Sequence, residues 1–371
     1  MSKLFDAGII GAGIAGTSLA IDLRSRGHEI VLMEREQLPL HKVCGEYLSN
    51  ESVPYLNKLG LETSLFPAIS KLKVTSTGKK TLSLALDQGA IGISRHYLDA
   101  ALLNRAKTLG VQVAEKCSIS SIESIGNQFL LSSESEQFSV KTVFGAYGKK
   151  SVLDRNLGRL PPKNARNFVG VKYHLEADFA RDTIWLHNFT DGYGGISAIE
   201  NNRYCFCYLI DAVHLKNAKG NIGEVEAQIL MKNSSLKSML KEARVLPGFP
   251  VTISQITFGA KELYTDGVVF LGDAAGTIAP LTGNGMSIAF RSAAELAKLT
   301  DSYLKSAITK DELINRYRNF WSQTFANRIY ISKQLQTVMG NSTLTNATIA
   351  GLSLFPALAR KLVGLTHGKP F

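Results

Sequence analysis

Near the N-terminus, Gly11-Ala12-Gly13-Ile14-Ala15-Gly16 has the GxGxxG spacing that suits a dinucleotide. The first glycine permits a tight turn, the second lets a pyrophosphate approach the backbone, and the third lets a helix pack against a strand. Glu34 follows Gly16 by 18 residues, where a carboxylate can accept a hydrogen bond from a ribose hydroxyl, and Arg35 stands beside it. The segment "HKVCGEYLSN" then brings Cys44 and Gly45 together, with His41 as the only nearby base. Cys44 is thus open to three readings, a reactive thiol, an inert buried cysteine, or a cofactor- or substrate-facing wall residue. Much later, Gly272-Asp273 is followed by "PLTGNGM", containing Pro280, Gly283, Gly285 and Met286. Titratable and aromatic residues of the middle region complete the set: His187 and Tyr193 as catalytic candidates beside Cys44, and Trp185, Tyr204 and Phe206 as substrate-lining candidates.

These residues need elements to hold them. "LFDAGIIGAGIAGTSLAIDLRSRGHEIVLMERE" reads as strand, tight turn, helix, strand. Its apolar run Ala7–Ile10 suits a strand buried on both faces. The helix starts near Ile14 and stops before Gly27. A second helix follows Ser94, which is placed to cap it, and stops at Gly110; the strand "VQVAE" comes next. From about residue 155 to 260, "NFVGVKYHLEA", "TIWLHNF", "RYCFCYLI" and "VTISQITFGA" predict strands, interrupted by one helix over "GEVEAQILMKNSSLKSMLKEA". In "RYCFCYLI" Tyr204, Phe206 and Tyr208 share one face and Cys205 and Cys207 the other. "GVVFLGDAAG" returns to parallel-sheet character, and helices fill the remainder.

The expected architecture is α/β: a Rossmann-like cofactor domain with a parallel sheet, an inserted, mainly antiparallel substrate sheet, and C-terminal helices. Residues 1–70, 90–155 and 262–330 make up the first domain, 71–89 and 156–261 the second, and 331–371 a helical cap. The tail "TNATIAGLSLFPALARKLVGLTHGKPF" is apolar with basic punctuation, which suits a helix on the protein's own core, a cap over a lipophilic pocket, or a peripheral contact with a membrane surface.

Composition excludes several classes. The four cysteines form no CxxC pair and no zinc-like cluster, so no metal is expected and a reducing, cytoplasmic setting suits them. Peripheral contact with the inner membrane face is compatible with that setting. The net charge is +11, but Lys and Arg are dispersed with no aromatic-interleaved stripe, so nucleic acid is not expected. No run of about 18 uncharged apolar residues suggests a span. GxSxG and HExxH motifs are absent. Nothing in the residues specifies an oligomeric state.

The segment "DGVVFLGDAAGTIAPLTGNGMSIAF" resembles the second FAD fingerprint of glutathione-reductase-type flavoproteins. With "KVCGEYLS" and "ISRHYLDAALLNRAKTLGVQV" it is similar to the geranylgeranyl-reductase-like branch, which neighbours the aromatic hydroxylases and flavin-dependent halogenases. The resemblance implies FAD held by Gly11, Gly13, Ile14, Ala15, Gly16, Glu34, Arg35, Cys44, Gly45, Arg95, Gly272, Asp273, Pro280, Gly283, Gly285 and Met286. It implies an FAD-dependent oxidoreductase that reduces or dehydrogenates a carbon–carbon bond in a small lipophilic, polyketide- or isoprenoid-like molecule. A monooxygenase acting on an aromatic or polyene is the alternative, and a flavin-binding electron-transfer or sensor protein the second alternative. Two departures stand out. Where the family usually has Ala-Asp-Gly and arginines, this chain has Ala146-Tyr147-Gly148-Lys149-Lys150 and then Asp154, which leaves NAD(P)H as electron donor an open question. The halogenases' Trp-x-Trp-x-x-Ile-Pro signature is missing, which argues against chlorination.

Overall fold

The computed structural model describes residues 3–149, 151–160 and 166–371. Lys150, one of the two lysines noted above, lies outside the described residues. The chain opens with β1 (Leu4–Ile10), α1 (Ile14–Ser25), β2 (Ile30–Glu34), β3 (Tyr47–Ser49) and α2 (Val53–Lys58). The hairpin β4 (Ala68–Thr75) and β5 (Thr81–Gly92) leads to α3 (Arg95–Thr108) and β6 (Gln112–Glu115). Then come β7 (Ser121–Ile125), β8 (Gln128–Ser132), β9 (Gln137–Gly145) and α4 (Val152–Asn156). The middle region supplies β10 (Phe168–Glu176), β11 (Thr183–Phe189), β12 (Gly192–Ala198) and β13 (Arg203–Asp211). Three helices follow, α5 (Ala212–Asn217), α6 (Ile222–Gln228) and α7 (Ser234–Glu242), then the strands β14 (Arg244–Val245) and β15 (Val251–Ile256). Short strands β16 (Gly259–Ala260), β17 (Tyr264–Thr265), β18 (Val268–Phe270) and β19 (Gly276–Thr277) precede the closing helices α8 (Gly285–Leu304), α9 (Lys310–Met339), α10 (Ser342–Leu354) and α11 (Pro356–Gly364).

The first sheet runs β17-β18-β9-β1-β2-β6, with β7 and β8 attached beside β9. Its central pairs are parallel: β1 lies between β2 and β9, and β18 lies on β9. Phe5, Ala7, Ile9 and Ile10 are buried, as expected of a strand covered on both faces. Helix α1 is buried from Ile14 to Leu23 between this sheet and its neighbours, packing on α3 and α8.

The second sheet runs β14-β10-β13-β12-β11-β4-β5-β3, with β15 also on β10. Its pairs are antiparallel except β11 with β4. One face packs on α6 and α7, where Tyr204, Phe206, Tyr208, Leu236 and Met239 share a core. The other face is covered by the closing helices, where Val74, Leu82, Leu84, Tyr193 and Leu209 share a core with Met339, Ile349 and Ala359. Strand β3, and the start of β4, belong to this second sheet although residues 1–70 read as part of the cofactor domain. The long helix α9 also crosses the boundary expected at 330/331.

Local chemistry explains the punctuation. The Ser94 hydroxyl accepts from Tyr97 N at 3.1 Å and starts α3. Gly110 ends the turn after it with φ +84°. The single helix expected over 223–243 is two, because Asn233 is buried and its Oδ1 accepts from Leu236 N at 3.1 Å, capping a new helix. The same side chain donates to Asn188 O at 3.0 Å, which ties the break to β11. The tail is also two helices, broken at Phe355-Pro356 and bent by 114°. Glu51 clasps that tail: its Oε2 accepts from Arg328 on α9 at 2.5 Å and from Gly368 N at 2.8 Å.

Candidate active site

Between the second sheet, the closing helices and the loops at the end of the first sheet lies a cavity of about 380 Å³. At one end sits the loop between β1 and α1. Gly11 has φ +107°, a conformation that glycine adopts without penalty. A Cβ on Gly16 would stand 2.0 Å from Gly11 O, so only glycine lets α1 start so close to the strand. A Cβ on Gly13, by contrast, would meet nothing nearer than Arg95 at 4.0 Å, and Gly13 lines the cavity. Gly13 offers no side chain to cap α1 and no acid occupies the first turn, so the helix N-terminus, with Ile14 and Ala15 on the cavity wall, is set to receive an anion. Glu34 ends β2 with Oε2 accepting from Ala12 N at 2.8 Å, which fixes the carboxylate against the glycine loop. Arg35 is exposed and pairs with Glu36 at 3.4 Å, outside the cavity wall.

The second loop comes from β18. Gly272, at φ +59°, turns the chain so that Asp273 lines the cavity, and Gly272 N donates to Ser292 Oγ at 3.2 Å. Arg95 lines it too. Its guanidinium makes two 2.9 Å bonds to Asp99, which also takes Lys42 Nζ at 2.8 Å. Burial opposes charge on Arg95, but the Asp99 carboxylate outweighs it and holds the guanidinium protonated. Farther along, Pro280, Gly283, Gly285 and Met286 line the wall, with Gly283 at φ +67°. Helix α8 starts there without a side-chain cap: Asn284 Nδ2 is turned away to Thr366 O, and its buried Oδ1 has no partner among the described residues. Two uncapped helix starts, an arginine, and glycine backbone facing open space fit the pyrophosphate and ring system of FAD.

The Cys44-Gly45-Glu46 turn forms the wall beside this cradle. A Cβ on Gly45 would meet nothing within 4 Å. Cys44 Sγ accepts from Glu46 N at 3.4 Å, and burial pushes its thiol pKa up, away from a reactive thiolate. The Cys44 carbonyl accepts from Cys205 Sγ at 3.3 Å and the Gly45 carbonyl from Ser197 Oγ at 3.0 Å, so β13 and β12 hold the turn. Glu46 is fully buried in the left-handed region, at φ +55°. Its Oε1 takes Lys172 Nζ at 2.6 Å and Arg95 N at 2.8 Å, and its Oε2 lies 2.6 Å from His174 Nε2. Burial favours the neutral acid, but His174 and Lys172 outweigh it and lower the Glu46 pKa. Likewise burial opposes the Lys172 charge and Glu46 restores it, so its pKa is raised. Sequence reasoning missed Lys172 and His174 as partners of Glu46. Their only signal was period-two spacing, which puts both on the β10 face that Gly170 shares.

The rest of the cavity is mainly apolar, and its sheet wall is built by alternation. Leu72 and Val74 of β4, Leu82, Leu84 and Leu86 of β5, Ile184 and Leu186 of β11, Tyr193 of β12 and Leu209 of β13 all line it. The opposite wall is helical, with Met339, Ile349, Leu352 and Val363. Three substrate-lining expectations are corrected here. Trp185, Tyr204 and Phe206 point the other way, into the core under α6 and α7, because that face had helices to bury it. On β13 it is Cys207, of the cysteine face, that lines the cavity with Leu209. His187 is corrected too. It is fully buried on the face of β11 that carries Trp185, its Nδ1 lies 2.8 Å from Thr75 Oγ1, and its Nε2 has no partner among the described residues. Burial lowers its pKa to about 3, and it does not reach the cavity. Tyr193 does line the cavity, and burial raises its hydroxyl pKa far above the usual value.

The departing segment at 146–154 forms a closed network. Tyr147 OH donates to Asp154 Oδ1 at 2.8 Å, and Arg159 donates to both, at 2.9 and 2.7 Å. Lys261 takes the other Asp154 oxygen at 2.8 Å. Arg159 also donates to Ala274 O at 2.7 Å, directly supporting the loop that carries Asp273. The tyrosine and aspartate that look out of place in the sequence are thus partners of each other, while Gly148 and Lys149 keep their place on the cavity wall.

Residues 5–323 match the FAD binding domain family. The chain is 22% identical to a digeranylgeranylglycerophospholipid reductase of Methanococcus vannielii, over 87% of this chain and 83% of that protein. The structure of a geranylgeranyl bacteriochlorophyll reductase-like protein from Thermoplasma acidophilum superposes with a TM-score of 0.81 at 15% identity, over 100% of this chain and 97% of that one. A probable FAD-dependent monooxygenase from Pseudomonas aeruginosa, pqsL, superposes with a TM-score of 0.73 at 18% identity, over 94% and 100%. The match over most of the chain settles its kinship: the protein belongs to the FAD binding domain family and is an FAD-dependent oxidoreductase.

Proposed function

We propose that this enzyme reduces or dehydrogenates a carbon–carbon bond in an elongated lipophilic substrate of isoprenoid type. The observation that carries the reading is the cavity's polarity. Glu46, Arg95, Lys149 and Asp273 are all on the wall at the cofactor end, while the sheet and helix walls beyond are mainly aliphatic, with Tyr193, Thr345, Thr348, Thr366 and His367 as their polar members. Such a lining recognises length and shape through burial rather than through hydrogen bonds. FAD, when bound, supplies two-electron transfer. The chain's own residues do the rest: Gly13, Arg95 and Asp273 seat the cofactor, the Cys44-Gly45-Glu46 turn forms its flank, and the aliphatic walls exclude water. Lys172 and His174 act through Glu46, holding the turn rather than touching substrate. The kinship with a reductase named for a digeranylgeranyl lipid supports the same substrate class.

A monooxygenase is the second reading. The aliphatic, water-excluding walls suit oxygen transfer as well, and pqsL supports it by fold. One experiment separates the two. The protein is reduced with dithionite under argon and mixed with a polyprenyl lipid. Flavin reoxidation without oxygen, with the lipid gaining two hydrogens by mass spectrometry, is the expected result. Reoxidation only on admitting oxygen, with an oxygen atom added to the lipid, would overturn it in favour of the second reading.

A further inference from the structure

The same two helices that wall the cavity on one side carry an uncovered apolar tip on the other. Helix α10 buries only Thr345 and Ile349, and α11 only Ala359. Every residue from Ser353 to Leu358 is exposed, and Leu354, Phe355 and Leu358 are 75%, 62% and 50% accessible. The bend of 114° makes this stretch a protruding elbow. Among the described residues no single helix is long and apolar enough to cross a membrane, and these two would pass by length and composition only together. A bent, apolar tip of this size suits an interface, not a span.

Charge identifies what covers it. Residues 313–371 contain seven Lys or Arg and not one Asp or Glu. Arg360 and Lys361 follow the elbow directly, are exposed, and make no ion pair among the described residues. A second copy of this chain meeting the elbow about a two-fold axis would set basic segment against basic segment. An anionic bilayer meets both features at once, with apolar side chains in the acyl boundary and cations at the phosphates.

We propose that the α10–α11 elbow docks the enzyme on an anionic membrane surface, with Leu354, Phe355 and Leu358 inserted and Arg360 and Lys361 on the headgroups. Leu352 and Val363, which line the cavity, then lie on the helices that touch the bilayer. Docking is independent of the reaction proposed above, and it is read without turnover.

The test is flotation of the FAD-loaded protein with phosphatidylcholine vesicles, with and without an equal part of phosphatidylglycerol. The protein is expected to float with the anionic vesicles. Leu354→Ser/Phe355→Ser/Leu358→Ser is expected to weaken that binding roughly tenfold or more while retaining its flavin. Arg360→Glu/Lys361→Glu is expected to abolish the preference for phosphatidylglycerol. Should the serine variant not fold, Phe355→Trp provides the reading: its fluorescence is expected to shift to the blue on anionic vesicles and to be quenched by brominated acyl chains. A protein that stays unbound, a serine variant that floats like the parent, or a tryptophan that reports no acyl contact would overturn the proposal. So would a serine variant whose only change is loss of self-association.

Discussion

Lys172 Nζ lies 2.6 Å from Glu46 Oε1, with both side chains entirely buried and 126 residues apart in sequence. The pair pins a turn that forms one flank of the cofactor site to β10 of the substrate sheet. Removing Glu46 strands the Lys172 charge, whereas removing Lys172 leaves Glu46 with His174 and Arg95 N. Glu46→Gln is therefore expected to cost about 3–5 kcal/mol in urea unfolding of the holoenzyme. The double variant Glu46→Gln/Lys172→Met is expected to be more stable than Glu46→Gln alone. Additive losses in the double variant would contradict the pairing.

Two glycines of one loop separate packing from binding. Gly16→Val drives a side chain into Gly11 O and is expected to lower the stability of the cofactor-free protein, by roughly 1–3 kcal/mol or more. Gly13→Val projects into the cavity and leaves the fold unstrained, since Gly13 has φ −76° and ψ −176°. It is expected to weaken FAD binding about tenfold or more, a loss of about 1.4 kcal/mol, with the apoprotein melting temperature unchanged. Equal thermal losses in the two variants would break the distinction.

Acid should destabilise the enzyme through His187. Its folded pKa is about 3 against an ordinary value of 6.5, so the unfolded chain binds the extra proton first. The neutral form's contribution is fully present above pH 6.5 and is lost as pH falls toward 3, at up to about 1.4 kcal/mol per unit. His187→Leu is expected to flatten this limb of the stability curve, and Thr75 keeps Asn233 as partner at 3.1 Å in that variant. Melting temperature measured from pH 8 to pH 4 checks it; parallel curves for parent and variant would refute the assignment.

The helical wall sets how long a substrate fits. Ile349→Trp fills the cavity from its helical wall. Turnover of long polyprenyl chains is expected to fall at least tenfold, with short chains and the flavin spectrum spared. A uniform loss for both lengths would instead point to a disturbed cofactor site.

The cofactor end was legible because its signals are local. Glycine spacing, the Ser94 cap and the Gly110 stop each depend on a few neighbouring residues. The substrate end was not. Both faces of "RYCFCYLI" are apolar, and which one met the cavity was decided by α6 and α7, which cover Tyr204 and Phe206 from a different part of the chain. The same holds for Glu46, whose partners Lys172 and His174 lie in a strand more than a hundred residues on. Tyr147 looked like a loss when set against a family pattern, and only the contact with Asp154 and Arg159 showed what replaced it.

The clasp at Glu51 fixes an order of assembly. It joins residues 317 apart in sequence, so the outer wall of the cavity cannot close on a growing chain until Gly368 has been made. The glycine loop, Arg95 and Asp273 all precede that step. The nascent protein thus passes through a stage in which the seat for the cofactor is complete and its cover is still missing. That stage is the widest opening for FAD to enter, and one in which the aliphatic walls need shielding from aggregation.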